Sequence, residues 1–368
     1  MWRDLRNRLL MSPRFQRAAA AFPLTRFLAR REAREMFDVV AGFVYSQVLL
    51  ACIRAGLLER LREGPLPVAR LVAGLGLEPP AADTLLRAAE ALELLESRAP
   101  GTWALGSRGA ALLGNPGVLA MIEHHAVLYA DLADPLAMLR APRGSTALSR
   151  YWPYAASGEP GAVDPAATRE YTQLMSASQG LVAGEILDAY PVHRHQRVLD
   201  VGGGDGTFLR AVAGRAPHLE LMLADLPGVA AQAQEAFAAA GLAARASVHA
   251  VDFTRDPLPR GADLLTLVRV LHDHDDELVR ELLRKALDAL APGGTLLVAE
   301  PLADTRGARR MGDAYFGLYL WAMGSGRPRS GAELSRMIQE AGFSAPRRYP
   351  TRVPLQTSVL AARKPGRP

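Results

Sequence analysis

The feature that most constrains this chain is a set of five short apolar runs in its C-terminal half, separated by segments of helical character. Strands that are apolar on both faces are buried on both faces, and helical connections between them favour a parallel sheet. The pattern therefore predicts an α/β domain with a doubly wound parallel sheet. The five runs are RVLDV (197–201), ELMLAD (220–225), ASVHAVD (246–252), DLLTLVRV (263–270) and TLLVAE (295–300), and RRYPTRV and TSVLAAR are two further strand candidates near the C-terminus.

The N-terminal third has a helical pattern instead. Residues 37–61 carry apolar side chains at three- and four-residue spacing, which predicts one long helix. Two helices follow, and residues 101–113 predict a short β-wing and a helix, the order of a winged-helix domain. The third helix, 81–96, would repel DNA phosphates, so we predict a dimerisation domain and no nucleic-acid partner. Its charged residues are Asp83, Arg87, Glu90, Glu93 and Glu96.

A basic arm precedes this domain. Residues 1–35 contain nine arginines and three acidic residues, interspersed with bulky apolar side chains such as Trp2, Phe15 and Phe27. The whole chain has a formal charge of +5, so the basic excess belongs to the arm. Such an arm suits an anionic membrane surface or an acidic face of a partner. Packing of the arm on its own dimer and an organelle transit peptide remain alternatives.

Length and composition predict more than one domain and the class of the protein. A chain of 368 residues with 49% apolar and 22% charged residues is typical of a soluble protein with two domains. We find no uninterrupted apolar run near the ~18 residues of a membrane span, and no apolar core of a secretory signal. The single cysteine, Cys52, is expected to be buried and reduced. These features predict a cytoplasmic location, peripheral at the inner membrane if the arm binds lipid.

We divide the chain into three parts on these patterns. Residues 1–35 form the basic amphipathic arm, and residues 36–165 form a helical, winged-helix-like dimerisation domain with a linker. Residues 166–368 form the α/β domain, which begins with a predicted helix before the first strand. This division expects the loop-rich segment before residue 166 to separate the two domains.

A glycine-rich loop follows the first predicted strand, in VLDVGGGDGTFL (198–209). Glycines at a strand-to-helix turn allow positive φ angles and close approach of a ligand. A dinucleotide site requires G-x-G-x-x-G, but Thr207 stands at the position of the last glycine. Asp200, at the end of the strand, suits a ligand with an ammonium group rather than a pyrophosphate. We therefore predict S-adenosylmethionine as the cofactor. The glycines of the motif are Gly202, Gly204 and Gly206.

Two more acidic residues end neighbouring strands of the predicted sheet. Asp225 ends the second strand about 20 residues after the glycines, where a carboxylate binds ribose hydroxyl groups. Asp252, followed by Phe253, ends the third strand. At this strand end a carboxylate can accept a hydrogen bond from an adenine amino group. Three such acids beside a glycine loop favour a cofactor site over helix capping. Leu226 and Arg269, next to strand ends, complete the cofactor-binding candidates.

The sequence LHDHDDE (271–277) follows the fourth strand. Its two histidines and its acids could hold a metal ion, but no second cluster has ligand spacing, and we predict no metal. The acids favour the start of a helix over 276–290 because negative charge is stabilised there. His272 directly follows the strand, and an imidazole with a pKa near ~6.5 is the natural base for a hydroxyl nucleophile. His124 and His125 point about 100° apart on a helix and are interpreted as structural.

Seven motifs in this order resemble a known family over about residues 37–362: YTQLMSASQ, LDVGGGDG, ADLPGV, VDF, VLHDHDDE, LLVAE and GSGRPRSGAEL. The chain resembles the class I S-adenosylmethionine-dependent O-methyltransferases of the caffeic-acid and hydroxyindole type. The resemblance implies a seven-stranded Rossmann-like domain and a homodimer formed through the N-terminal domain. It also implies that His272 is the catalytic base, with Asp273 as the next acid of the motif and Glu300 as the acidic partner of the base. It places the cofactor acids at Asp225 and Asp252.

Two positions depart from the family pattern. His274 stands where the family usually has tryptophan, and its role is open. The sequence GRPRS (326–330) lacks the second acid that steadies the base in phenol-methylating relatives, and Pro328 is the nearest match. These departures indicate an acceptor other than a phenol.

The arm together with FVYSQVLLA is similar to the bacterial carotenoid O-methyltransferases of the spheroidene pathway. That similarity implies methylation of the 1-hydroxyl group of a long acyclic carotenoid such as demethylspheroidene or hydroxyneurosporene. Other interpretations are methylation of a bacteriochlorophyllide-like pigment or a polyketide, and a non-enzymatic winged-helix regulator that binds a small ligand. By spacing alone the candidates for binding an apolar acceptor could equally be core residues; they are Tyr171, Met175, Tyr315, Tyr319, Trp321 and Met323.

Overall fold

The computed structural model describes residues 1–152 and 165–366, and for 165–171 it describes the backbone alone. The chain forms two compact units, Met1–Asn115 and Pro116–Pro368. The second unit begins well before residue 166, where we divided the chain from its sequence. The reason is packing: Leu128, Met138 and Leu148 belong to one apolar cluster with Leu320 and Met323. A helical pattern shows that a segment is buried but not which neighbour buries it.

The first unit consists of helices and a small antiparallel sheet of order β1-β3-β2. The predicted wing and the helix after it are both present, since β2 and β3 pair and α7 follows them. Its elements are α1 Trp2–Leu10, α2 Pro13–Ala21, α3 Pro23–Arg54, α4 Leu57–Arg60, β1 Leu66–Pro67, α5 Val68–Leu71, α6 Pro79–Ala91, β2 Leu95–Ala99, β3 Thr102–Leu105 and α7 Ser107–Leu113.

The long helix predicted over 37–61 has different ends. It begins at Pro23, a residue that favours the first turn of a helix, and it ends at Arg54. The chain then turns at Gly56, whose φ of +65° lies in the left-handed region that favours glycine, and a separate short helix follows. The end of the basic arm is therefore continuous with the first helix of the domain, because nothing between Pro23 and Phe37 breaks the helix.

Helix α3 is long and apolar enough to cross a membrane, although it contains no uninterrupted apolar run of that length. An 18-residue window of this helix has a mean hydropathy of 1.8 and only 11% of it is buried in the structure. Polar residues such as Asp38, Ser46 and Gln47 interrupt the apolar run of this helix, so the sequence shows no uninterrupted span there. Length and composition allow this one helix to cross a membrane, a test that core helices of soluble proteins also pass.

The core of the first unit lies where α3 packs against α4 and α6. Cys52 is fully buried there among leucines such as Leu57, Leu61 and Leu71. Burial raises the pKa of its thiol to about 11, so this cysteine packs as a small apolar side chain, as expected. By contrast, α1 and α2 contain no buried residue.

The second unit is built on a seven-stranded sheet of order β6-β5-β4-β7-β8-β10-β9. Strands β4 to β8 are parallel, and β10 pairs antiparallel with both of its neighbours. The predicted α/β class and strand number are confirmed. Its elements are α8 Pro116–Asp131, α9 Pro135–Arg140, α10 Ala147–Tyr151, α11 Pro165–Ala189, β4 Arg197–Val201, α12 Thr207–Arg215, β5 Glu220–Asp225, α13 Pro227–Ala239, β6 Ala246–Ala250, β7 Leu264–Val268, α14 Asp276–Ala289, β8 Thr295–Glu300, α15 Gly317–Met323, α16 Gly331–Glu340, β9 Arg347–Tyr349 and β10 Ser358–Arg363.

Helices cover both faces of this sheet. On one face, residues of α14 and α16 such as Leu282 and Met337 pack against it, and on the other Phe208 of α12 does so. The carboxyl ends of β4, β5, β7 and β8 meet at one edge. Strands β6 and β7 end two residues earlier than predicted, at Ala250 and Val268, so Asp252 lies in a turn beyond its strand. This edge is where ligands bind in open α/β sheets.

Candidate active site

A cavity of about 640 Å³ opens at this edge of the sheet, and every residue that lines it belongs to the second unit. The side chain of Tyr171 lies outside the described residues. The predicted site residues that line the cavity are Met175, Gly202, Gly204, Asp225, Leu226, Asp252, Phe253, Arg269, His272, Asp273, Tyr315, Tyr319 and Met323. Those that are not in the lining are Asp200, Gly206, Glu300 and Trp321.

The glycine loop between β4 and α12 needs its glycines for two different reasons. At Gly202 the φ angle is +69°, and a Cβ atom would lie 2.8 Å from a methyl group of Val270. At Gly206 the φ angle is +78°, and a Cβ atom would lie 2.5 Å from the ring of Phe237 on α13. Gly202 therefore lets the loop border the cavity, whereas Gly206 lets it pack against a helix. Gly206, predicted to bind the cofactor, is not among the residues that line the cavity, and its part in binding stays a prediction.

Asp200 also has a different place from the predicted one. Its carboxylate is buried beneath the loop, with 1% of the residue exposed, and it accepts a hydrogen bond of 2.6 Å from the Thr266 hydroxyl. Burial raises its pKa to about 7. A Cβ atom on Gly203 would lie 2.7 Å from this carboxylate. Asp200 therefore supports the loop from below and does not line the cavity.

Asp225 faces the cavity at the end of β5, as predicted. One carboxylate oxygen accepts the N–H of Gly204 at 2.8 Å, and the other accepts the N–H of Leu226 at 2.8 Å. Burial raises its pKa to about 6, opposed by these two hydrogen bonds. Each oxygen keeps a further lone pair, so the carboxylate can accept hydrogen bonds from a pair of hydroxyl groups. This is the arrangement that a ribose requires.

The next part of the wall is aromatic. Asp252 accepts hydrogen bonds from the N–H and hydroxyl of Thr254 at 3.0 and 2.6 Å, which fixes the turn after β6. The rings of Phe253 and His274 meet edge to face with centroids 5.3 Å apart, and both residues line the cavity. Burial lowers the pKa of His274 to about 4, so the ring is neutral. His274, whose role the sequence left open, thus belongs to a neutral wall that suits a nucleobase.

Arg269 connects the end of β7 to the site. Its φ angle is +58°, a left-handed conformation that is uncommon for a residue with a side chain. Its guanidinium donates a hydrogen bond of 2.8 Å to the Ser178 hydroxyl on α11. Of the described residues that line the cavity, Arg269 alone has a guanidinium or ammonium group. One cation is too few to neutralise a pyrophosphate. The Asp225 carboxylate, the glycine loop and the aromatic wall fit S-adenosylmethionine instead.

His272 lies between two carboxylates. Its Nδ1 atom is 2.5 Å from Glu300 Oε2, and its Nε2 atom is 3.1 Å from Asp273 Oδ1. Glu300 is itself buried and accepts the N–H groups of Val270 and Leu271 at 3.0 and 2.7 Å. With Nδ1 engaged by Glu300, Nε2 is the nitrogen that can exchange a proton with a molecule in the cavity.

The charges around His272 set its protonation. Burial disfavours the imidazolium, but the neighbouring charges of Asp273 and Glu300 outweigh it, and the pKa of His272 is raised. Burial likewise raises the pKa of the Asp273 carboxyl to about 6. The arrangement can therefore take up a proton at Nε2 and stabilise the resulting imidazolium, which is the chemistry of a general base.

The remaining wall is aromatic and apolar, and a π-helical segment, Arg310–Phe316, supplies part of it together with α15. The Tyr315 hydroxyl lies 2.6 Å from Nε2 of His125, and the Tyr319 hydroxyl lies 2.9 Å from Nε2 of His124. Burial lowers the pKa of both histidines and raises the pKa of both tyrosines, so this wall is uncharged. These contacts could not be predicted from the sequence, since the paired side chains are about 190 residues apart in the chain.

Three aromatic residues differ from the set of side chains that we predicted to bind an apolar acceptor. Phe316, which we did not predict, lines the cavity with its ring edge to face against His272, at a centroid distance of 5.9 Å. Trp152 also lines the cavity. Trp321 instead lies beneath the Arg143 guanidinium, which is 5.1 Å from its ring centroid. The helical period of 311–323 indicated a buried face but not which of its aromatic residues borders the cavity.

The histidines of LHDHDDE do not converge on a common point. His272 contacts Glu300 and Asp273, whereas the ring of His274 packs against Phe253. In residues 1–152 and 165–366, no group of three or more His, Cys, Asp or Glu side chains is arranged to hold a metal ion.

Two family matches and several relatives agree with this geometry. Residues 37–115 match the O-methyltransferase dimerisation domain and residues 129–344 the O-methyltransferase domain. The chain is 45% identical over 359 residues to demethylspheroidene O-methyltransferase of Cereibacter sphaeroides, which covers 98% of this chain and 94% of that protein. It is 41% identical over 358 residues to the protein of that name from Rhodobacter capsulatus, covering 97% and 89%.

A solved structure shows the same fold. Human N-acetylserotonin methyltransferase in complex with S-adenosylmethionine superposes with a TM-score of 0.73 at 24% identity, covering 91% of this chain and 98% of that chain. The family matches together span both units, and they include the glycine loop, Asp225 and His272. The chain therefore belongs to the S-adenosylmethionine-dependent O-methyltransferases that carry an N-terminal dimerisation domain, as the sequence resemblance implied.

Proposed function

We propose that this S-adenosylmethionine-dependent O-methyltransferase methylates the 1-hydroxyl group of an acyclic carotenoid, such as demethylspheroidene or hydroxyneurosporene, in carotenoid biosynthesis. The observation that carries this proposal is the 45% identity to a demethylspheroidene O-methyltransferase over nearly the whole of both chains. The uncharged wall around Tyr315, Tyr319 and Phe316 supports it, because an aliphatic acceptor offers no charge to be neutralised. Pro328, in place of an acid, also supports an acceptor other than a phenol.

The size of the cavity limits how such an acceptor binds. A volume of about 640 Å³ is in the range of sites for molecules of drug size. It has to accommodate the cofactor and the reacting end of the acceptor together. We infer that only the hydroxylated end of a long carotenoid enters, and that the rest of the chain remains outside the cavity.

We assign the site residues by the contacts described above. Gly202, Gly204, Asp225 and Leu226 are proposed to hold the amino-acid and ribose parts of the cofactor, with Gly206 and Asp200 supporting the loop from outside the cavity. Asp252, Phe253 and Arg269 complete the cofactor site. The acceptor would contact Met175, Tyr315, Tyr319 and Met323.

His272 is the proposed base. Glu300 holds its Nδ1 side, so the acceptor hydroxyl would take the place of Asp273 at Nε2. S-adenosylmethionine supplies an electrophilic methyl group and is released as S-adenosylhomocysteine. As the oxygen–methyl bond forms, the hydroxyl proton passes to Nε2, and Glu300 and Asp273 stabilise the imidazolium. A tertiary alcohol is a weak acid, so this proton transfer is concerted with attack; holding the reacting atoms ~3–3.5 Å apart supplies much of the acceleration.

Acceptor competition tests the proposed substrate. Purified enzyme with methyl-labelled S-adenosylmethionine is expected to label a 1-hydroxylated acyclic carotenoid and not the same carotenoid without the hydroxyl group. A phenol such as N-acetylserotonin and a bacteriochlorophyllide serve as competing acceptors. We expect kcat/KM for the carotenoid to exceed theirs by about 100-fold, since a mismatch of shape in an apolar pocket costs about 1–3 kcal/mol, or roughly 10–200-fold. Preferred labelling of the phenol or the bacteriochlorophyllide, read by mass spectrometry, would reject the carotenoid assignment.

A non-enzymatic regulator is not favoured as an alternative. The relatives at 45% and 41% identity are methyltransferases over nearly their whole length. Helix α6, which would be the recognition helix, carries Asp83 in an exposed ion pair with Arg87, so its one arginine is already neutralised.

The enzyme is a homodimer, because residues 37–115 form the dimerisation domain of its family. We propose that it is a cytoplasmic protein whose arm, residues 1–35, contacts the membrane that holds the acceptor. Trp2 and Phe27 are 76% and 70% exposed, and the arginines of the arm are exposed with them. Apolar side chains among arginines suit the interface of an anionic bilayer.

Vesicle binding tests this contact. Sedimentation with phosphatidylglycerol vesicles is expected to exceed that with phosphatidylcholine vesicles and to fall at high salt, because exposed charges are screened. Replacing Arg3, Arg6 and Arg8 with glutamine should weaken binding by about 100-fold, at roughly 1 kcal/mol for each basic residue. The matched control replaces three exposed arginines of the same unit, Arg62, Arg87 and Arg98. Equal binding by the two variants would exclude the arm as the membrane contact.

A further inference from the structure

Four consecutive carbonyl groups around the proposed base accept hydrogen bonds from one segment of the chain. We call residues 271–274 the base loop and residues 325–329 the clamp segment. The guanidinium of Arg329 donates to Leu271 O at 2.6 Å and to His274 O at 2.7 Å, the N–H of Arg327 donates to His272 O at 3.0 Å, and the hydroxyl of Ser325 donates to Asp273 O at 2.7 Å. Every carbonyl of the base loop therefore accepts a hydrogen bond from the clamp segment.

Arg329 makes the largest contribution to this arrangement. The residue is only 2% exposed, and its guanidinium spans the base loop from its first carbonyl to its last. Its charge is balanced by Asp276, whose Oδ1 atom accepts from Nη2 at 2.7 Å and from Nε at 3.0 Å. Hydrogen bonds from Arg327 and Arg329 lower the pKa of Asp276 to about 2. A planar guanidinium can make these contacts together, and an ammonium group cannot.

The close approach of the two segments depends on a glycine. Gly326 has a φ angle of +77°, and a Cβ atom there would lie 2.1 Å from the carbonyl oxygen of His272. Its N–H donates to Asp275 Oδ1 at 3.0 Å. No residue with a side chain could hold the backbone of the clamp segment against that of His272 at this distance.

The opposite side of the base loop is held by Glu300. This carboxylate accepts the N–H of Leu271 at 2.7 Å, while Arg329 donates to the carbonyl of the same residue. It also contacts Nδ1 of His272 at 2.5 Å. The peptide groups that carry the imidazole are thus restrained at both their N–H and C=O groups, and the ring itself at Nδ1.

We propose that Arg329 is a positioning residue for His272. Besides the two carboxylates and the ring of Phe316, the restraint on the imidazole comes through its backbone, and Arg329 donates to two of the four carbonyl groups of the base loop. Arg329 lines neither the cavity nor the position of the reacting atoms. It therefore acts by fixing the position of the Nε2 atom. This inference rests on the proposed role of His272 as the base.

Replacing Arg329 with alanine is expected to lower kcat by about 100-fold, since a shift of ~1 Å in a catalytic group costs about that factor. The Kd for S-adenosylmethionine should stay within about threefold, because the glycine loop and Asp225 have no contact with Arg329. Arg329→Lys keeps the positive charge beside Asp276 but not the paired carbonyl contacts, so its kcat should be intermediate. Arg336→Ala is the matched control: this exposed arginine of α16 pairs with Glu340 outside the clamp segment, and kcat should stay within about threefold.

A proton NMR spectrum distinguishes a positioning role of Arg329 from a purely structural one. The short contact between His272 Nδ1 and Glu300 should give a far-downfield proton resonance in the wild-type enzyme. In Arg329→Ala and Arg329→Lys this resonance should shift or broaden, while in Arg336→Ala it should persist. A structural role alone would lower the melting temperature, kcat and cofactor affinity together. That joint loss, or an unchanged kcat and resonance in both Arg329 variants, would overturn the proposal.

His272→Ala is measured beside these variants so that the two assignments can fail separately. If this variant keeps its kcat, the base assignment fails and the positioning role fails with it. If it loses kcat while the folded Arg329 variants retain theirs, only the positioning role fails. Loss in both, with cofactor affinity retained, supports both.

Discussion

Replacing His272 with alanine is expected to lower kcat on the true acceptor by about 1,000-fold, in the middle of the range for removal of a general base. Nδ1 is engaged by Glu300, so Nε2 is the atom that takes the hydroxyl proton, and alanine leaves no proton acceptor in its place. The Kd for the cofactor should be almost unchanged, because the glycine loop and Asp225, and not His272, are proposed to hold it. Steady-state transfer of labelled methyl groups, with titration calorimetry for the cofactor, measures both quantities.

The same assignment predicts a pH dependence. Only the neutral imidazole accepts a proton, and the pKa of His272 is raised by Asp273 and Glu300 against the effect of burial. Activity should therefore rise with pH through a pKa above the usual histidine value and level off beyond it. Asp273→Asn removes a carboxylate that stabilises the imidazolium, so this rise should move to lower pH.

His193, an exposed histidine, provides the matched control for the His272 variant. His193→Ala should keep the wild-type kcat and pH profile, because the residue lies outside the cavity. A His272→Ala enzyme with near wild-type kcat, or an Asp273→Asn enzyme with an unshifted profile, would show that another group accepts the proton.

Replacing Asp225 with alanine is expected to raise the Kd for S-adenosylmethionine by about 100-fold. Its carboxylate fixes the N–H groups of Gly204 and Leu226 and is directed at the cavity. Hydrogen bonds to a charged group contribute about 1.5–3 kcal/mol each, and 1.4 kcal/mol is tenfold in Kd. The variant loses the contact with the ligand hydroxyl groups and also the restraint on the loop. Titration calorimetry of the folded variant gives the Kd.

Two further variants define the effect at Asp225. Asp225→Asn keeps one acceptor oxygen, so its Kd should lie between those of the wild type and the alanine variant. Glu220→Ala, at the opposite and exposed end of β5, should leave the Kd unchanged. An unchanged Kd in Asp225→Ala would mean that the cofactor does not contact this strand end.

Properties that depend on neighbours in the sequence could be predicted before the fold was known. The runs that became β4, β5 and β8 were placed to the residue, because a strand buried on both faces is apolar throughout. The start of α14 at Asp276 followed from the acids before it. Asp225 was placed in the cavity from its position at a strand end. These are local patterns, and local patterns report burial and backbone conformation.

The differences between expectation and structure have a common cause. Asp200 and Gly206 were predicted to bind the cofactor; in the structure the first lies beneath the loop against Thr266 and the second packs on Phe237. We predicted a linker between the domains over residues 116–165, and residues 116–152 belong to the second unit. In each instance the residue type and the element were right, and the partner was not predictable.

Sequence pattern thus decided the α/β class, the cofactor loop, and His272 beside a strand end, because each follows from short-range periodicity and spacing. Tertiary packing alone decided which side chains meet. It placed Tyr319 on His124, and it brought Arg329 to the carbonyl groups on both sides of His272. Such contacts join residues far apart in the chain, and only the packing of helices and strands on one sheet determines the distances between them.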